Sequence, residues 1–135
     1  MTSSVLQLRL VVEAPDYPAA VRFYRDVLGM REELAVAGPD GAQVTILDAG
    51  RATLEIANPA QKRHIDEVEV GHQVAPRIRV ALEVADAAGM ADRLVAAGAD
   101  LIAPAVETPW GSLNVRLAAP ADLQLTLFQE LSAPR

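Results

Sequence analysis

The sequence predicts an α+β domain made of two tandem copies of one βαβββ unit. Three observations carry this. Short apolar runs alternate with polar residues at the period of a strand, two stretches switch to a helical period, and the two halves keep step at a nearly constant offset. Arg9 matches Arg79 and Asp16 matches Asp86 at 70 residues, Gly29 matches Gly98 at 69, and Leu54, Glu55 and Ile56 match Leu125, Thr126 and Leu127 at 71. The 135 residues suit a single domain over 1–135. A chain of this length buries roughly two-thirds of its unfolded surface.

The first unit covers about 5–57. Leu8, Leu10, Val12 and Ala14 alternate with Arg9, Val11 and Glu13, which reads as a strand with both faces engaged. Asp16 is a helix cap and Pro18 fits the first turn. Val21, Tyr24, Val27 and Leu28 form one helical stripe with Phe23 beside it, so both aromatics are expected in the core. Gly29 can turn left-handed and ends the helix. Strands are expected at Glu32–Ala37, Gln43–Leu47 and Ala52–Ala57, with turns at "AGPDGA" and "DAGR".

Residues 58–76 read as a polar, solvated connector that holds both histidines, His64 and His72. "HIDEVEVGH" is rich in metal-type side chains, but its spacing fits no known ligand motif. It is open whether this segment covers a site as a lid. The second unit covers about 77–130. Ile78, Val80, Leu82 and Val84 alternate with Arg79, Ala81 and Glu83. Asp86 caps a helix bearing Leu94 and Val95, and Gly98 ends it. Strands follow at Leu101–Val106, Ser112–Leu117 and Leu123–Glu130.

Composition excludes several functions. With no cysteine there are no disulfides, thiolate metal sites or cysteine nucleophiles. A net charge of -6 argues against nucleic acid and anionic membrane surfaces as partners. No apolar run reaches about 18 residues, and the N-terminus lacks a signal-peptide pattern, so a soluble cytoplasmic protein is expected. "GPDGA" is a turn without the Lys-Ser/Thr of a phosphate loop.

The paired units, "FYRDVLGM" closing the first helix, "TLEI" in the fourth strand and the terminal "PWGSLNVRLAAPADLQLTLFQ" together resemble the vicinal oxygen chelate superfamily, which includes glyoxalases, extradiol dioxygenases, an epimerase and the bleomycin resistance proteins. The resemblance implies the glyoxalase/bleomycin resistance fold, in which a curved mixed sheet forms a cup, and a symmetric homodimer. It also implies that catalytic members hold a divalent metal on His and Glu side chains from four strands. Those four positions fall here at Arg9, Glu55, Arg79 and Thr126. Glu55 alone is a competent ligand, since guanidinium cannot coordinate. "APAD", from Ala119, replaces the family's usual "DPDG" turn.

No metal cofactor is therefore expected. Strand alternation sets Arg9, Glu55 and Arg79 on the cup wall, two cations against one carboxylate, with one positive charge uncompensated unless Glu13 or Glu83 swings in. This suits a small-molecule ligand, anionic or carbonyl-rich, as in a drug- or metabolite-sequestering protein. The alternative is a lyase, isomerase or dioxygenase of the same superfamily with an altered site. Trp110, in a hairpin near the mouth, either stacks on a planar ligand or packs over the sheet. The expected ligand-binding residues are Arg9, Glu55, Arg79, Trp110 and Thr126; no catalytic residue is assigned.

Overall fold

The computed structural model describes residues 4–120 and 122–131. The elements in chain order are β1 (Val5–Glu13), α1 (Tyr17–Val21), β2 (Glu32–Ala37), β3 (Gln43–Asp48), β4 (Ala52–Ala57), α2 (Pro59–Glu69), β5 (Ile78–Val84), α3 (Ala87–Ala96), β6 (Asp100–Glu107), β7 (Ser112–Ala119) and β8 (Leu123–Glu130). All strands join one sheet in the order β2-β3-β4-β1-β5-β8-β7-β6. This is the doubled βαβββ architecture, with the two units meeting where β1 and β5 pair antiparallel.

The registers repeat as the sequence does. Val11 lies opposite Glu55 across the parallel β1–β4 pair, and Ala81 lies opposite Thr126 across β5–β8. At the seam Arg9 faces Ala81 and Val11 faces Arg79, which places the two arginines diagonally about a local two-fold axis. Because alternate side chains share a face, Arg9, Val11, Arg79 and Ala81 all point into the cup.

Two apolar clusters hold the helices to the convex face. Val84, Ala87, Ala91, Val115, Leu117, Leu125 and Leu127 pack under α3, while Val21, Leu47 and Ile56 pack with Val12, Tyr24 and Leu54 under α1. Full burial of each such Leu, Ile or Val contributes about 1.5–3 kcal/mol. Both expected caps form. The Asp16 carboxylate accepts from the Ala19 N–H at 3.2 Å, and that of Asp86 from the Gly89 N–H at 3.0 Å. Gly29 and Gly98 adopt φ +89° and +112°, a left-handed turn that other residues adopt at a steric cost.

Three expectations are corrected. The first helix does not run on as a regular α-helix to Gly29. After Val21 it widens into a π-helical stretch, Arg22–Val27, in which the Leu28 N–H reaches back five residues to the Phe23 carbonyl at 2.9 Å. The wider turn rotates the apolar stripe away from the sheet, so Phe23, Val27 and Leu28 are exposed and Tyr24 alone of the later stripe packs inward. Leu8, Leu10 and Ile78, on the central strands β1 and β5, likewise stay exposed.

The third correction concerns 58–76, which is not a solvated connector. Asn58 caps α2 by accepting from the Gln61 N–H at 2.8 Å, and Pro59 occupies the first turn, where a missing N–H costs nothing. Ile65, Asp66 and Glu69, at helical spacing, are all buried. No helix of the described residues is long and apolar enough to cross a membrane.

Candidate functional site

A cavity of about 230 Å³ occupies the cup. Arg9, Glu55, Arg79, Trp110 and Thr126, the five residues expected from the sequence, all line it. Their positions follow from the strand registers above. Each of the four floor residues comes from a different strand, β1, β4, β5 or β8, and Trp110 from the hairpin between β6 and β7.

Arg79 is 6 % exposed and makes one hydrogen bond among the described residues, donating from Nη1 to the Thr126 hydroxyl at 2.7 Å. Burial pulls its pKa below the ordinary value of 12.5, and the nearby Glu69 carboxylate partly restores it, so the side chain stays cationic. Arg9 is engaged differently. It donates to the Gln7 side chain at 2.9 Å, stacks 4.6 Å above the Phe128 ring, and lies 3.8 Å from Glu55. Glu55 is buried and accepts no hydrogen bond among the described residues. Burial pushes its carboxyl pKa up from 4.5. Arg79 and Arg9 pull it back in part, and Glu69 adds to the rise.

The sequence did not single out the largest polar assembly in the cup. Arg116, fully buried on β7, donates from Nη1 to Asp66 at 2.8 Å and to Gln124 at 2.9 Å, and from Nη2 to Glu69 at 2.9 Å. Asn114 donates to the other Glu69 oxygen at 2.9 Å. Asp66 also accepts from the N–H groups of Val74 and Ala75 at 3.0 and 3.1 Å. Burial alone raises the Asp66 pKa, but these backbone donors and Arg116 outweigh it and hold the carboxyl below its usual range. The sequence carries the helix start at Asn58-Pro59 and the shared faces of Asp66 with Glu69 and of Ser112, Asn114 and Arg116, but no local signal for the pairing between them.

The expected charge count changes as a result. Glu13 turns to Arg77 at 4.0 Å instead of reaching the arginine pair. Glu69 supplies a negative field near Arg79, yet its own oxygens are taken by Arg116 and Asn114. Arg79 thus has no direct ion pair among the described residues. At the rim the half-exposed Trp110 ring stands 6.0 Å from the His64 ring at a tilt of 59°. His64 is therefore beside the cavity, whereas His72 is exposed and does not line it.

An eight-stranded cup built from paired βαβββ units, with charged side chains converging on its floor, defines a domain of the vicinal oxygen chelate superfamily. The Glyoxalase-like domain family matches residues 9–128, and the chain belongs to that family. Among solved structures, a hypothetical protein from Bacillus halodurans C-125 superposes with a TM-score of 0.70 at 13 % identity, covering 94 % of this chain and 95 % of its own. Methylmalonyl-CoA epimerase from Mycobacterium tuberculosis gives 0.63 at 23 %, covering 99 % and 94 %. A glyoxalase/bleomycin resistance protein/dioxygenase superfamily member from Vibrio splendidus 12B01 gives 0.60 at 12 %, covering 91 % and 97 %. At these identities the likeness is one of fold. No curated protein matches the chain.

At the four positions where the resemblance expects metal ligands stand Arg9, Glu55, Arg79 and Thr126. Two of the four positions are guanidinium groups, the Thr126 hydroxyl already accepts from Arg79, and Glu69 is held by Arg116 and Asn114. Among the described residues no three His, Cys, Asp or Glu side chains are grouped to hold an ion.

Proposed function

We propose that this protein binds a small anionic molecule in its cup without a resident metal, and sequesters it. One observation carries the reading: Arg79 is a nearly buried guanidinium with one hydrogen bond and no ion pair among the described residues. A buried charge lacking its partner is costly. A carboxylate or phosphate in the cavity supplies that partner in the geometry a guanidinium favours.

Thermal unfolding in acetate or phosphate, against chloride of equal ionic strength, tests this. At ten times Kd the anion stabilises the fold by about 1.4 kcal/mol, a few degrees for a chain of this size. Arg79→Met loses the shift but remains folded, and EDTA leaves the shift unchanged. No shift in any anion, with Arg79→Met more stable than the wild type, refutes the reading. A shift abolished by EDTA refutes its metal-free part.

A second reading rests on Glu55, a desolvated carboxyl with a raised pKa on the cavity wall. Such a group can take up and release a proton, as a lyase or isomerase requires. Wild-type protein that catalyses deuterium uptake from D2O into a bound carboxylic acid or thioester, and stops on Glu55→Gln, favours this reading over sequestration.

We also propose a homodimer that covers Leu8, Leu10 and Ile78, exposed apolar residues of the central strands β1 and β5. Light scattering at micromolar concentration then gives about twice 14.4 kDa, and Leu10→Lys halves it. A monomeric mass for the wild type contradicts the dimer.

A further inference from the structure

Two walls of the cavity contrast chemically. Its floor carries Arg9, Glu55, Arg79 and Thr126. The wall formed by β2 and β3 presents only Leu34, Val36, Val44 and Ile46 to the cavity. These four make a two-by-two patch, with Leu34 opposite Ile46 and Val36 opposite Val44. Ile46 in turn lies opposite Glu55 on β4, so the patch begins one strand from the charged floor. Two strand spacings of about 4.8 Å put its outer edge, at the sheet edge, roughly 10 Å from the strand of Glu55.

The edge residues of the patch are conspicuous. Leu34 and Val36 are 50 % and 47 % exposed although they line the cavity. Thr45, the polar residue between Val44 and Ile46, faces the other way and hydrogen-bonds the Tyr17 hydroxyl. That wall offers a ligand no hydrogen-bonding side chain and suits a hydrocarbon body, while the polar lining residues Gln61, Ser112 and Asn114 lie on α2 and β7.

From this arrangement we infer that the ligand is an amphipathic monoanion, with a carboxylate-type head on Arg79 and an aliphatic body laid on Leu34, Val36, Val44 and Ile46. The inference rests on the anion reading above and adds the chemistry of the rest of the molecule. The cavity volume limits the enclosed part. About 230 Å³, at roughly 30 Å³ per water-sized group, encloses about eight non-hydrogen atoms.

Titration calorimetry with straight-chain carboxylates from acetate to decanoate, below micelle-forming concentrations at pH 7, tests the inference. Each methylene tightens binding about fourfold, the equivalent of about 0.8 kcal/mol, up to roughly eight non-hydrogen atoms, and the series then flattens. Val36→Asp flattens the whole series while acetate binding stays within about twofold. Arg79→Met weakens every member. If acetate binds through Arg79 but affinity does not grow with chain length, the amphipathic ligand is refuted and the anion site stands. If no carboxylate binds, the anion reading itself falls. A change of solution mass in Val36→Asp assigns the patch to a protein contact and overturns the inference.

Discussion

Arg116→Met loses about 3–5 kcal/mol of stability, the cost of stranding buried charge. Arg116 has no exposed surface and bonds Asp66, Glu69 and Gln124. Removing it leaves two buried carboxylates, one on each of two successive turns of α2, without their cation. Lys62, 3.9 Å from Asp66, offsets only part of the loss there, and Glu69 keeps no paired cation among the described residues. The defect is therefore localised where α2 is pinned across the cup. Adding Asp66→Asn and Glu69→Gln to Arg116→Met recovers much of the loss, since the triple variant leaves neither carboxylate buried without its cation. Denaturant unfolding of the single and triple variants measures both. A loss below about 1 kcal/mol in the single variant refutes the account.

Glu55→Gln stabilises the protein at alkaline pH and leaves it nearly unchanged in acid. The folded-state pKa of Glu55 lies above its ordinary 4.5, because burial disfavours the charge more than Arg79 and Arg9 favour it. An acid shifted upward binds its proton more tightly folded than unfolded. Its full stability is present below 4.5 and is lost as pH rises through the folded value. Glutamine removes that loss, with a ceiling at the several kcal/mol that desolvating one ion costs. Asp66 acts oppositely. Its depressed pKa gives stability above 3.8 that is lost as pH falls through the folded value. Denaturant midpoints of the wild type and Glu55→Gln between pH 4 and 9 read the difference, and parallel curves contradict the prediction.

Strand positions, both caps and the doubled unit were legible because period-two patterning and Asp-initiated helices are local signals. So was the gathering of Arg9, Glu55, Arg79 and Thr126 on one wall, since alternation and the repeat together fix the face. The π-helical widening after Val21 was not legible: it moves Phe23, Val27 and Leu28 outward without altering the stripe that suggested they were buried. The α2 network was hidden for another reason. Asp66 and Glu69 look like surface residues until Arg116, 47 to 50 positions later, neutralises them. Pairing across that distance leaves no periodic trace.

Phe128 breaks the repeat at an informative place. Its counterpart at the 71-residue offset is Ala57. Two copies of one unit, brought together about an axis, begin with two identical half-sites and so with room for two identical guests. Once the second copy gained an aromatic ring, the first copy's arginine, Arg9, was capped by it, and the second copy's own Arg79 kept its open side. Duplication inside a single chain permits this divergence, because each half can mutate without its twin, whereas a dimer of single units must change both at once. One open arginine per chain is left, and the anion binding proposed above then saturates at one anion per chain.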